Sequence, residues 1–153
     1  MSFSAFPIAT LRRSAALVPA LLLAAVAPAQ AQPPQGIGPV AAADTARPGT
    51  ANVNGARLHY AVHGDLASDK RPLLILHGAF MSGEAMKPLV DRFAGTRPII
   101  TIDARGHGRT GDVGGPISYE VMADDAAALL AHLGVARADV LGYSMGGSTA
   151  VAL

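Results

Sequence analysis

The sequence predicts an α/β protein: a mostly parallel, doubly wound sheet with helices on both faces. Three observations carry that expectation. Short runs at 72–76, 98–102 and 138–141 read as strands, the first two buried, and they alternate with segments of helical periodicity. Glycine and proline punctuate the boundaries between them. An Asn-Gly pair at 54–55, set among alternating residues ahead of the first run, reads as a hairpin turn. Strands that alternate with helices pair in parallel through right-handed crossovers.

Residues 1–31 read as an address rather than as part of that fold. Arg12 and Arg13 are the only charges before Asp44. An apolar run from Ala15 to Ala27 follows them, then Pro28 and the small-residue sites Ala27-Pro-Ala29 and Ala29-Gln-Ala31. A basic start, a short apolar middle and a small-residue exit make a secretory signal peptide, with cleavage near Ala29 or Ala31 and a secreted or periplasmic destination. Pro19 interrupts the run, and a spanning helix needs about 18 or more apolar residues, so no stable membrane insertion is expected after cleavage. The arginine pair leaves the general and the twin-arginine export routes both open. Residues 32–51 are rich in Pro, Gly, Ala and Gln without periodicity and read as a flexible spacer. The folded part is expected over 52–153.

Within it, Leu58, Tyr60 and Val62 alternate with Arg57, His59 and Ala61 behind the Asn54-Gly55 turn, as in a strand with one buried face. Pro72–Leu76 is apolar at every position, which suits a strand covered on both sides. Glu84–Phe93 is expected as a helix, with Met86, Leu89, Val90 and Phe93 on one face and Gly95 as its stop. Pro98–Ile102 is the second buried strand. Ser118 is placed to cap a helix whose apolar stripe is Met122, Ala126, Leu129, Leu130 and Leu133, ended by Gly134. Ala138–Leu141 is a third short strand, and a last helix opens at Gly146. Asp124 and Asp125 are assigned to the wet side of the long helix. His59, His63 and His132 are assigned to strand, turn and helix surface positions.

Composition narrows the chemistry. The chain has 153 residues, 12 Lys+Arg against 11 Asp+Glu, no Cys, 50% hydrophobic residues and 15% charged ones. It is too apolar and too weakly charged for a disordered tail. It has no thiols for a disulfide framework or a Cys-ligated metal. A formal charge of +1 gives no electrostatic case for nucleic acid. No His-Glu-x-x-His pattern or carboxylate cluster suggests a metal, and the glycines after Asp103 open no helix at the offset of a dinucleotide fingerprint. No cofactor is expected.

In a doubly wound sheet the chemistry gathers at the carboxyl ends of the strands. The third run ends in Gly142-Tyr-Ser-Met-Gly146, a G-x-S-x-G pattern between a strand and a helix. That context places Ser144 on a sharp, strained turn with its hydroxyl projecting from the sheet. Gly142 and Gly146 flank it where the backbone crowds. The Met145 amide falls at a helix N-terminus, where partial positive charge meets a developing oxyanion.

Two further segments make a family resemblance plain. Leu76-His77-Gly78-Ala79-Phe80-Met81-Ser82-Gly83 resembles the oxyanion loop of the α/β-hydrolase superfamily, and Asp103-Ala-Arg105-Gly-His-Gly-Arg-Thr110 resembles its D-x-R-G-x-G-x-S turn. With the Ser144 turn they stand in the family's order across residues 53–153. The resemblance is closest to the serine esterase, haloperoxidase-like and carbon–carbon bond hydrolase branches. Branches that open epoxides or remove halide carry Asp where this chain has Ser144.

The resemblance implies an acyl-transferring enzyme acting on small ester-like substrates, with Ser144 as nucleophile. The Met145 amide and a second amide from Ala79, or from its neighbour Phe80, would form the oxyanion hole. Gly78 would let the backbone approach the reacting carbon. It assigns His77 to loop architecture rather than to the general base, because in this family the base follows the nucleophile. Asp103 and Arg105 would fix neighbouring loops through charge-assisted hydrogen bonds. The family's order is Ser, then acid, then His, and neither an acid nor a His follows Ser144 here. The expectation is therefore the N-terminal portion of a longer hydrolase, cut after the nucleophile turn and inactive in this form. Peroxide-dependent halogenation or perhydrolysis, carbon–carbon bond hydrolysis, and a non-catalytic binding module on a decayed hydrolase remain the alternatives.

Overall fold

The computed structural model describes residues 46–153. The expected signal peptide and residues 32–45 of the spacer lie outside the described residues. Five strands form one mixed sheet: β1 (Arg47–Val53), β2 (Ala56–His63), β3 (Leu73–Leu76), β4 (Ile99–Asp103) and β5 (Asp139–Gly142), in the spatial order β1-β2-β4-β3-β5. β1 pairs antiparallel with β2 and β2 with β4, whereas β3 pairs in parallel with both β4 and β5. The parallel, doubly wound part is thus β4-β3-β5, and the hairpin adds an antiparallel flank.

Each strand follows from its residues. Asn54 and Gly55 both adopt positive φ, 47° and 75°, as a two-residue hairpin turn of type I′ requires, and they set the register Val53↔Ala56. Leu74, Ile75, Ile99 and Ile100 are fully buried, which is why β3 and β4 read as continuous apolar runs. β1 departs from expectation. It starts at Arg47, inside the segment read as spacer, because pairing with β2 extends as far as Arg47↔Val62. Pro48 is tolerated there because β1 is the outer strand of the sheet.

Helices cover both faces. A 3₁₀ turn (Gly83–Met86) leads into α1 (Lys87–Phe93), and Met86 and Val90 pack there with Leu73, Ile75 and Ile99. The sequence predicts one helix over 84–93, and Pro88 divides it. A continuous α-helix would need a Pro88 N–H to reach the Glu84 carbonyl; Lys87 instead makes the shorter bond to Glu84. On the other face lie α2 (Tyr119–His132) and α3 (Met145–Ala152). Ser118 caps α2 by accepting from the Val121 amide at 3.3 Å. Ala126 and Leu129 bury against Leu58, Leu74, Ile100 and Ile102. The connections after β3 and β5 therefore leave neighbouring strands toward opposite faces, and such divergence opens a crevice at the strands' carboxyl ends.

Candidate active site

Three segments meet at that crevice: the loop after β3, the loop after β4 and the turn after β5. The Tyr143 amide donates to the Leu76 carbonyl at 2.9 Å, which ties the first to the third. Close packing between them explains the glycines. A Cβ at Gly142 would stand 2.1 Å from the Gly146 carbonyl oxygen, and one at Gly146 would stand 2.3 Å from that of Leu76. Both clashes are with backbone, so no side-chain rotation relieves them. A Cβ at Gly78 would stand 2.9 Å from the Tyr143 ring.

Ser144 sits on this turn with φ 51° and ψ −115°, outside the regions that L-residues ordinarily adopt. It is exposed and its hydroxyl makes no capping bond to α3, although Ser144 stands at the N-cap where serine commonly makes one. Met145 opens α3, so its amide has no intrahelical acceptor. Among the described residues neither the Met145 nor the Ala79 amide donates to another group. Phe80 adopts φ 60° and is fully exposed, a second strained position beside the turn.

His77 holds the loops together. Its Nδ1 lies 2.7 Å from the Gly78 carbonyl, and its Nε2 accepts from the Ala104 amide at 3.0 Å. A carbonyl on one nitrogen and an amide on the other fix one neutral tautomer, with the proton on Nδ1. Burial, the largest cause, pushes the pKa of this ring below its ordinary value, and the His107 ring with its centroid 5.2 Å away acts in the same direction. Both nitrogens are committed to backbone, so His77 is not available as a base.

Asp103 closes the loop after β4. One carboxylate oxygen accepts from the Gly83 amide at 2.7 Å and the other from the Arg109 amide at 2.8 Å. His59 Nδ1 is 3.4 Å from that second oxygen, so His59 faces Asp103 rather than lying on the strand's surface. Thr110 completes the turn: its hydroxyl donates to the Asp103 carbonyl and accepts from the His59 amide.

Arg105 anchors the same loop to α2. Its Nε donates to Asp125 Oδ2 at 2.8 Å and its Nη2 to Asp125 Oδ1 at 3.0 Å. Asn54 Nδ2 reaches that Oδ1 at 3.2 Å. The carboxylate holds the Arg105 pKa above its ordinary value. Asp125 is 1% exposed, which corrects its assignment to the wet side of the helix; Asp124 alone is exposed. Spacing carried the signal, since Asp125 stands three residues after Met122 and four before Leu129, on the buried stripe itself. Among the described residues, no group of three or more His, Asp or Glu is placed to hold a metal ion, and no helix is long and apolar enough to cross a membrane.

Known proteins resemble this chain in sequence and in fold. The family model for the alpha/beta hydrolase fold matches residues 71–153, over half of the chain. The sn-1-specific diacylglycerol lipase ABHD11 of Danio rerio is 37% identical over 92 residues, covering 57% of this chain and 28% of that protein. A soluble epoxide hydrolase of Corynebacterium sp. is 32% identical over 100 residues, 65% of this chain and 34% of its own length. The solved structure of the enol-lactonase from Burkholderia xenovorans superposes with a TM-score of 0.65 at 31% identity, covering 69% of this chain and 40% of that one. The chain spans about a third of the length of the curated relatives it matches. By the family match and by the loops it folds around Ser144, the chain belongs to the α/β-hydrolase fold family.

Proposed function

We propose that the whole protein is a serine hydrolase that transfers acyl groups from small ester-like substrates to water, and that it is exported. The observation that carries this reading is Ser144 itself: a non-glycine residue at φ 51° on the turn into α3, with an uncommitted hydroxyl. Strain of about 1–3 kcal/mol persists where surrounding structure enforces it and function uses it.

In the proposed mechanism the Ser144 Oγ attacks the carbonyl carbon, and its proton passes to a base. By the family's order that base is a histidine C-terminal to Ser144 in the whole protein. The negative charge arising on the carbonyl oxygen falls to the Ala79 and Met145 amides, which have no other acceptor among the described residues, and α3 adds its N-terminal dipole. Collapse expels the alcohol, and water releases the acyl group by the same route in reverse. His77 serves as the brace that holds the loop carrying Ala79. Serine at 144, rather than the aspartate of epoxide-opening branches, favours acyl transfer over epoxide opening for this chain. The diacylglycerol lipase and the enol-lactonase named above fit the same chemistry.

Fluorophosphonate labelling of the whole protein tests the reading. Labelling that is lost in Ser144→Ala, with ester turnover falling by about 10⁴-fold or more, is the expected outcome. A well-folded whole protein that never labels would leave the non-catalytic binding module in its place. The 153-residue chain alone is expected to show negligible turnover, since serine hydroxyls are weak nucleophiles without a positioned base.

A further inference from the structure

We propose that the Asn54–Gly55 turn is a deamidation site whose product loosens the buried pair between Arg105 and Asp125. The hydrolase reading neither requires nor supplies this modification. The chain holds only two asparagines, Asn52 and Asn54, and both are exposed. Asn52 precedes Val53, whose branched side chain crowds the intervening amide. Asn54 precedes Gly55, and nothing lies within 4 Å of where a Gly55 Cβ would stand. Gly55 is exposed and carries no side chain to crowd its amide nitrogen, so the site is open to water.

The chemistry needs no other reagent. The Gly55 amide nitrogen attacks Asn54 Cγ, the Cγ–Nδ2 bond breaks and ammonia leaves, closing a five-membered succinimide. Water then opens the ring at either carbonyl, giving aspartate or isoaspartate. Each product carries a carboxylate where a carboxamide stood.

The surroundings make that exchange consequential. Asn54 Nδ2 donates to Asp125 Oδ1, the oxygen that also takes Arg105 Nη2. Arg105 Nη2 lies 3.5 Å from the Asn54 carbonyl as well. Deamidation turns the donor facing Asp125 into a second anion, and an exposed carboxylate then competes with the buried one for a single guanidinium. Isoaspartate also lengthens the backbone of a turn that has room for two residues only. The bond to Asp125 has to release before Cγ swings to the Gly55 nitrogen, so the reaction proceeds through local opening of the hairpin tip. A surface event is thereby transmitted to the helix α2 and to the loop after β4.

The test incubates the whole protein at mildly alkaline pH and follows peptides bearing each asparagine by mass spectrometry. The Asn54 peptide is expected to gain about one dalton and to split into aspartate and isoaspartate forms. Its conversion should run about tenfold or more ahead of that at Asn52, which faces the branched Val53. Equal conversion at the two sites, or conversion at Asn52 alone, overturns the proposal. Asn54→Asp is expected to melt about 5 °C lower than the unmodified protein. In an Asp125→Asn background the sign should reverse, because the new carboxylate becomes the partner of Arg105. A melt unchanged by Asn54→Asp, or lowered equally in both backgrounds, refutes the coupling. The double variant reads the charge effect even where the single one fails to fold.

Discussion

His77 commits both ring nitrogens to backbone, one to Gly78 and one to Ala104, and only the neutral ring satisfies both. Burial holds its folded pKa below the ordinary 6.5, so as the pH falls from neutrality the unfolded chain takes up this proton first. Its contribution to stability is complete above about 6.5 and is lost as the pH drops through the lower folded value. Thermal melts between pH 7 and about 5 should show a decline that His77→Asn, which cannot titrate, does not share. At Gly146 the constraint is steric. Gly146→Ala places a methyl against the Leu76 carbonyl and should destabilise by about 2–4 kcal/mol in a denaturant titration. Ser144 and its flanking glycines were legible in the sequence because this geometry admits few residue types. The bond from His77 within its own loop was also legible, but its Ala104 partner was not, since Ala104 lies 27 positions away and only the fold brings its amide near.

Among the helices, α2 is the one whose face the sequence misassigned. Its cap, stripe and stop were readable from Ser118, Leu129 and Gly134. Asp125 was misread because a carboxylate on a buried stripe makes sense only once Arg105 is known to reach it. Breaking a buried pair strands its partner's charge, so Asp125→Ala should cost about 3–5 kcal/mol by chemical denaturation. The exposed Lys87–Asp91 pair of α1 provides the contrast, where Lys87→Ala should cost no more than about 0.5 kcal/mol. The division of the helix at Pro88 and the early start of β1 have a common origin. Local composition described each residue well, but ring sterics at Pro88 and the reach of β2 set the boundaries.

At the scale of the whole molecule, the alternation of strands and helices was sufficient to foresee the sheet's winding, and the hairpin signal its antiparallel flank. Coverage of the central strands was foreseen from their apolar runs, whereas the exposure around β5 depends on what packs there. A cleft of about 390 Å³ remains beside α1, lined among others by His59, Ala61, Thr101 and Asp103. Val140 on β5, Val151 on α3 and Leu153 just after it are exposed, Val151 at 91%. Apolar surface around an outer strand favours association. The 153-residue chain is expected to sediment as a concentration-dependent mixture of species, and Val151→Lys should shift it toward the monomer. The two flanks of the sheet differ in kind. On the β1 side Pro48 has no amide proton to offer a newcomer. On the β5 side no proline stands in the way. The outer edge at β5 therefore lies beside the segment that carries Ser144, and that edge is where pairing with another strand is expected. A strand joining there would sit next to the turn at Ser144, so the sheet's open edge and that strained bend share one side of the molecule.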